Sequence, residues 1–144
     1  MKYPLGIQTF AEIREENYVY LDKTAMIHEL ISTGKIYFLS RPRRFGKSLL
    51  ISTLQALFAG KSELFTDLAI SKTDYDFTEH PVLKFEFAKD EFACADNLRS
   101  YINYAVNQMA ERYGVEITAD SYNQKFDELS NLEQLYQCEN TPLY

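Results

Sequence analysis

The chain has 144 residues, 46% hydrophobic and 15% aromatic, with a formal net charge of -6 at pH 7. These values fit one domain with an ordinary core and exclude an intrinsically disordered chain. The acidic balance also excludes a general nucleic-acid coat protein, which needs many cations on one face.

In chain order, Thr9-Phe10-Ala11-Glu12 has the spacing of a capping box that opens a short helix. Tyr18-Val19-Tyr20-Leu21 is aromatic and β-branched and reads as a short extended piece. Thr24 stands where a cap for the next helix is expected. Met26, Ile27, Leu30 and Ile31 then form one stripe at helical spacing. Gly34 is the expected stop, in the left-handed conformation.

Residues 36–39 are continuously apolar and read as a buried strand. Residues 40–45 form a loop. A helix follows from Gly46, with Leu49, Leu50, Leu54, Leu57 and Phe58 inward and Gly60 closing it. Residues 61–80 are mixed, with weak periodicity. Residues 82–87 alternate and predict a second strand with one wetter face. A long helix is expected from Phe92 to Tyr113, with Leu98, Ile102, Ala105, Val106, Met109 and Tyr113 on one face and Gly114 ending it. A last helix is expected from Ser121 to Tyr136.

The chemistry concentrates in Ser40-Arg41-Pro42-Arg43-Arg44-Phe45-Gly46-Lys47-Ser48, between an apolar strand and an amphipathic helix. A phosphate needs donors that converge from several sides. A loop wrapping onto a helix N-terminus supplies them through backbone amides and the helix dipole. Gly46 lets the main chain come close. Lys47 supplies a mobile charge, Ser48 a hydroxyl for magnesium, and Arg43 and Arg44 further positive charge. The P-loop pattern asks for a glycine where Arg41 stands, and Pro42 removes one donor. The match is partial, and its weight comes from the strand–loop–helix context.

The segment Asn17-Tyr18-Val19-Tyr20-Leu21-Asp22-Lys23-Thr24, followed by Tyr37-Phe38-Leu39-Ser40-Arg41-Pro42-Arg43-Arg44-Phe45-Gly46-Lys47-Ser48-Leu49-Leu50, closely resembles the predicted AAA-ATPase-like family of bacteria. The opening Leu5-Gly6-Ile7-Gln8-Thr9-Phe10 fits it too. The resemblance covers about residues 3 to 135. It implies a three-layer α/β P-loop NTPase fold, with ATP and magnesium as ligands. In that family the Arg-Pro-Arg-Arg-Phe-Gly-Lys-Ser form is the usual phosphate loop, so the absent first glycine is a family trait. The ligand-binding residues it implies are Arg43, Arg44, Phe45, Gly46, Lys47, Ser48 and Leu49, with Ser48 on the metal. Relatives often continue into a PD-(D/E)XK nuclease-like domain.

Hydrolysis also needs a carboxylate at a strand end. No strand ending in Asp or Glu follows the loop, so no catalytic residue is assigned. The expected fold is a partial P-loop domain over residues 1–137, truncated before the Walker B strand, with an irregular tail over 138–144. Asp22 has two readings: a carboxylate that approaches the nucleotide, or a turn and helix-entry residue. With strands missing between the two identified, unpaired edges favour self-association or a partner strand.

Other features carry less. Cys94 and Cys138 suggest reduced thiols, and His28 and His80 have no metal-ligand companion. Tyr101, Tyr104 and Tyr113 read as packing residues. The N-terminus lacks the apolar core of a signal peptide, and no run is long enough to span a membrane, so the cytoplasm is the expected address. The lead reading is ATP binding without efficient turnover. Its alternatives are a protein-interaction remnant, or nucleic-acid binding through Arg41, Arg43, Arg44 and Lys47.

Overall fold

The computed structural model describes residues 2–87 and 94–130. The described elements are α1 (Phe10–Glu15), α2 (Thr24–Thr33), α3 (Lys47–Phe58), two 3-10 helices (Ser62–Phe65 and Ala69–Lys72), α4 (Ala95–Tyr113) and α5 (Tyr122–Ser130). They group into two units, one ending at Glu79 and one starting at His80.

In the first unit, α1 starts at the expected place, with Thr9 as its N-cap, but the Thr9 side chain makes no capping bond. The Phe10 amide instead donates to Ser52 Oγ on α3 at 2.9 Å, so a tertiary contact satisfies an orphan donor of the first turn. The Phe10 ring is fully buried. It packs on Phe65 at 4.8 Å and edge-on to Tyr20 at 5.2 Å between centroids. From the last turn of α1, the Arg14 guanidinium donates to the carbonyls of Leu64 and Thr66, both at 2.7 Å.

The entry to α2 also differs from expectation. Asp22, not Thr24, does the capping: Asp22 Oδ1 accepts from the Thr24 amide at 2.8 Å and the Thr24 hydroxyl at 2.7 Å. Thr24 is fully buried and its hydroxyl accepts from the Ile70 amide at 3.0 Å. Ile27 of the apolar stripe is buried, whereas Met26 is exposed. Gly34 is extended, with φ -157°, not left-handed. A Cβ there would meet the Tyr37 hydroxyl, the movable end of a half-exposed side chain, and that hydroxyl donates to the Leu30 carbonyl of α2.

The stretch that reads as mixed, residues 61–80, supplies much of this core. Its two 3-10 helices and their junction bury Leu64, Phe65, Leu68 and Ile70 against Phe10, Ile27, Ala56 and Leu57. A fully buried side chain of this size is worth about 1.5–3 kcal/mol.

In the second unit, Val106 and Ala110 of α4 pack with Leu129 of α5, flanked by Leu83, Phe85, Ile102 and Met109. The predicted stripe on α4 is therefore the inward face, and Gly114 ends the helix with φ +67° as expected. The Glu128 carboxylate accepts from the Thr118 hydroxyl at 3.0 Å and amide at 3.1 Å, closing the α4–α5 connection. The ends expected at Phe92 and Tyr136, Cys138 and the tail 138–144 lie outside the described residues.

The expected three-layer α/β P-loop fold, partial and truncated before a Walker B strand, is overturned. Among the described residues there is no β-strand, only helices and one isolated bridge between Lys2 and Tyr18. A strand needs a neighbour to satisfy its amides and carbonyls. Of the two predicted strands, residues 36–39 fall in the first unit and residues 82–87 in the second. Ile36 and Phe38 are each 94% exposed, so this run is not a buried strand. Residues 82–87 meet tyrosine hydroxyls instead of a ladder. Tyr113 Oη accepts from the Val82 amide at 2.8 Å and donates to its carbonyl at 3.1 Å. Tyr101 Oη accepts from the Glu86 amide at 2.9 Å.

Because Phe65 is fully buried at the centre of the first unit, Phe65→Ala is expected to destabilise it by about 3–5 kcal/mol. Urea unfolding followed by circular dichroism measures this. A loss below about 1 kcal/mol would mean that the ring is not in a packed core.

Candidate functional site

The loop at residues 41–46 leads directly into α3. Its backbone bends through two left-handed residues, Arg44 at φ +65° and Gly46 at φ +73°. Such a conformation is uncommon for an arginine and costs about 1–2 kcal/mol relative to the right-handed form. Left-handed residues in a tight loop turn successive amides toward one side, which makes an anion-binding concavity. Gly46 is the N-cap of α3 and no side chain caps that helix. The first-turn amides of a helix have no intrahelical acceptor, and they carry the positive end of the helix dipole.

Lys47, the first residue of α3, reaches back over the loop. Its ammonium donates to the carbonyls of Arg41 and of Pro42, the latter at 3.1 Å. The Arg41 guanidinium donates to the Phe45 carbonyl at 3.4 Å. The loop is thereby curled onto itself, with Phe45 64% exposed at its tip. Arg43 is exposed on the turn.

Two cavities adjoin this loop. One of about 530 Å³ is lined by Arg44, Gly46, Lys47, Ser48 and Leu49 and by Pro4, Gly6, Ile7 and Gln8. The second, about 480 Å³ and mostly apolar, is lined by Leu39, Phe45, Leu49 and Leu50 together with Ile27 and Leu30 of α2. Of the residues expected to bind ligand, Arg44, Gly46, Lys47, Ser48 and Leu49 line one cavity. Phe45 lines the neighbouring cavity, and Arg43 lines neither. The segment around Gln8, which lines the same cavity, is not among the expected site residues. Its signal in the sequence was Gly6, a bend-forming residue just upstream of a capping motif.

Asp22 lines neither cavity. Besides the two bonds from Thr24, its Oδ2 accepts from the Ala69 amide at 2.7 Å. Partial burial pushes its carboxyl up, but the bonds from the Thr24 hydroxyl and from the amides of Thr24 and Ala69, with the Arg14 charge, outweigh this and hold it below its ordinary value. Its bonding is that of a strut between α2 and the second 3-10 helix. His28 Nε2 lies 3.7 Å from Asp74 Oδ1. Among the described residues no three His, Cys, Asp or Glu side chains gather as a metal site, and no helix is long and apolar enough to cross a membrane.

The family model described as Predicted AAA-ATPase matches residues 4–144. The chain belongs to the predicted AAA-ATPase family. A relative from Azotobacter chroococcum mcd 1, described as "Uncharacterized protein in vnfD 5'region", is 42% identical over 130 residues. The match covers 89% of this chain and 25% of that protein, so the chain spans about a quarter of this family member's length. No solved structure matches the chain.

Membership of the predicted AAA-ATPase family is consistent with nucleotide binding in general. The residues present suit such a ligand: Arg44 and Lys47 line the cavity beside the uncapped start of α3, and its volume is within the 300–1,000 Å³ of ordinary ligand sites. Ser48 adds one hydroxyl, which suits magnesium because that ion takes most of its ligands from phosphate oxygens and water.

Two outcomes follow from this geometry. Gly46→Ala is expected to cost about 1–2 kcal/mol through its positive φ alone, since nothing lies within 4 Å of the added Cβ. Thermal unfolding would detect it, and an unchanged melting temperature would mean that residue 46 is not held left-handed. The stability supplied by Asp22 is fully present above its unfolded pKa near 3.8 and disappears as pH falls through the lower folded value. Asp22→Asn should therefore flatten the acid limb of a stability–pH curve, and an acid limb identical to wild type would contradict the strut role.

Proposed function

We propose that the loop at residues 41–48 binds the phosphates of a nucleoside triphosphate, with ATP and magnesium as the natural ligand. The observation that carries this reading is the curl of the loop onto the start of α3, with left-handed Arg44 and Gly46 and the Lys47 ammonium folded back over it. In this reading the amides of Arg44, Phe45, Gly46 and Ser48 hold phosphate oxygens. Lys47 exchanges its neutral carbonyl acceptors for charged ones, and a charge-assisted bond is roughly twice as strong as a neutral one. Arg43 and Arg44 raise the local potential for a polyanion, and Leu49 closes the apolar side. Ser48 presents its hydroxyl to a magnesium ion brought in with the phosphates. The metal's contribution would be to neutralise charge between phosphate oxygens.

The proposal is binding, not turnover. No carboxylate lines the cavity that Lys47 and Ser48 share, so its described walls contain no acidic side chain to help hold the metal ion or to take a proton from water. Asp22 takes the structural role its bonds describe.

Titration calorimetry of the full chain with ATP and magnesium tests the reading. Saturable binding is expected, weakened roughly 10- to 100-fold in Lys47→Ala, on the scale of a lost hydrogen bond to a charged group. Lys47 is half-buried and its ammonium holds two loop carbonyls, so circular dichroism and the melting temperature of the ligand-free variant check that it is folded, and Lys47→Arg, which keeps the charge, is expected to retain more affinity than Lys47→Ala. Absent heat with wild type, or equal affinity in a folded Lys47→Ala, would overturn it.

A further inference from the structure

We infer that the mostly apolar cavity of about 480 Å³ is a site for a small anionic amphiphile, an alkyl chain that ends in a single carboxylate. The inference stands apart from the nucleotide reading, because Lys47 and Ser48 do not line this cavity.

The apolar lining is held by the fold. Ile27 and Leu30 of α2 and Leu49 and Leu50 of α3 contribute to it. Ile27 belongs to the buried core of the first unit, and Leu49 and Leu50 pack against that core. Leu21, Met26, Leu39 and Phe45 line the same cavity yet remain 41–76% exposed. Four large apolar side chains that meet water around one concave space gain free energy from an apolar occupant, at about 25 cal/mol per Å² covered. The volume is that of an ordinary small-molecule site.

The charges select which amphiphile. Lys23 and Arg41 line the cavity, and no carboxylate does. Among the described residues neither cation has an ion-pair partner. The Arg41 guanidinium is placed by its bond to the Phe45 carbonyl at 3.4 Å, and Phe45 is itself a lining residue. That bond uses one of the guanidinium N–H donors and leaves a planar fork that suits a carboxylate. A single carboxylate, ionised at pH 7, takes charge-assisted bonds there, while its alkyl chain covers the aliphatic lining. A cationic amphiphile meets like charge. A polyphosphate fits poorly, because most of its charges would lose water against aliphatic side chains without gaining a partner.

The test titrates the full chain, without nucleotide, with decanoate and with decyltrimethylammonium, each below its micelle concentration, by calorimetry. Saturable binding of one decanoate per chain is expected, tighter than the cation by about tenfold, the scale of a hydrogen bond to a charged group. Arg41→Gln should remove that advantage. Met26→Glu should weaken decanoate and leave the cation no weaker. Met26 is exposed and stands in the first turn of α2, where an acidic side chain favours the helix, so this variant is expected to fold. Absent decanoate binding, many molecules bound per chain, equal affinity for the two probes, or a decanoate affinity unchanged in both variants would each overturn the inference. Co-sedimentation with phosphatidylglycerol vesicles in the absence of decanoate binding would overturn it too, since the anionic partner would then be a membrane surface.

Discussion

The hydrogen bond from the Phe10 amide to Ser52 Oγ joins the start of α1 to the middle of α3, and the arrangement around the loop depends on it. The Phe10 ring is locked into the core beside Phe65 and Tyr20, so the main chain at this point has little freedom. Just N-terminal to it, Pro4, Gly6, Ile7 and Gln8 line the same cavity as the loop. Everything C-terminal to Ser52 continues as the buried face of α3, through Thr53, Ala56 and Leu57. A single donor, which α1 cannot use internally, ties the start of that helix to α3.

Helices with regular stripes were legible in the sequence, and their irregular neighbours were not. The spacing of Ile102, Ala105, Val106 and Met109 identifies α4 because one face repeats over many turns. Residues 61–80 show no such repeat. Leu64, Phe65, Leu68 and Ile70 nonetheless point into the core, because short 3-10 helices turn every three residues and change direction between them. No window long enough to show a period exists there. The strands failed for another reason. Apolarity at residues 36–39 reports what the side chains prefer, while a strand exists only through a partner. At residues 82–87 the phenols of Tyr101 and Tyr113 meet the backbone, and nothing in the residue pattern marks a tyrosine as a main-chain partner.

Of the candidate site, the loop's turn into a helix was legible. The Gly46-Lys47-Ser48 triplet identifies a loop that turns into a helix, and that turn is present with the left-handed glycine it requires. That residues 4–8 contribute to the lining of the same cavity is a tertiary outcome, and so is the bond between residues 10 and 52; no local pattern encodes either. Asp22 was read with two alternatives, and its bonds to Thr24 and Ala69 match the helix-entry one. The second of those bonds crosses 47 residues of sequence, beyond what capping logic can see.

Ile36 and Phe38 stand almost fully in water. Their side chains bury nothing within the described residues, so their oiliness adds nothing to the folding free energy of this unit. Polar or charged replacements at these two positions belong to the class of surface changes that shift stability by no more than about 0.5 kcal/mol. They would also lower the colloidal stickiness of the preparation, which makes these positions natural places to engineer a better-behaved sample without disturbing the core or the loop.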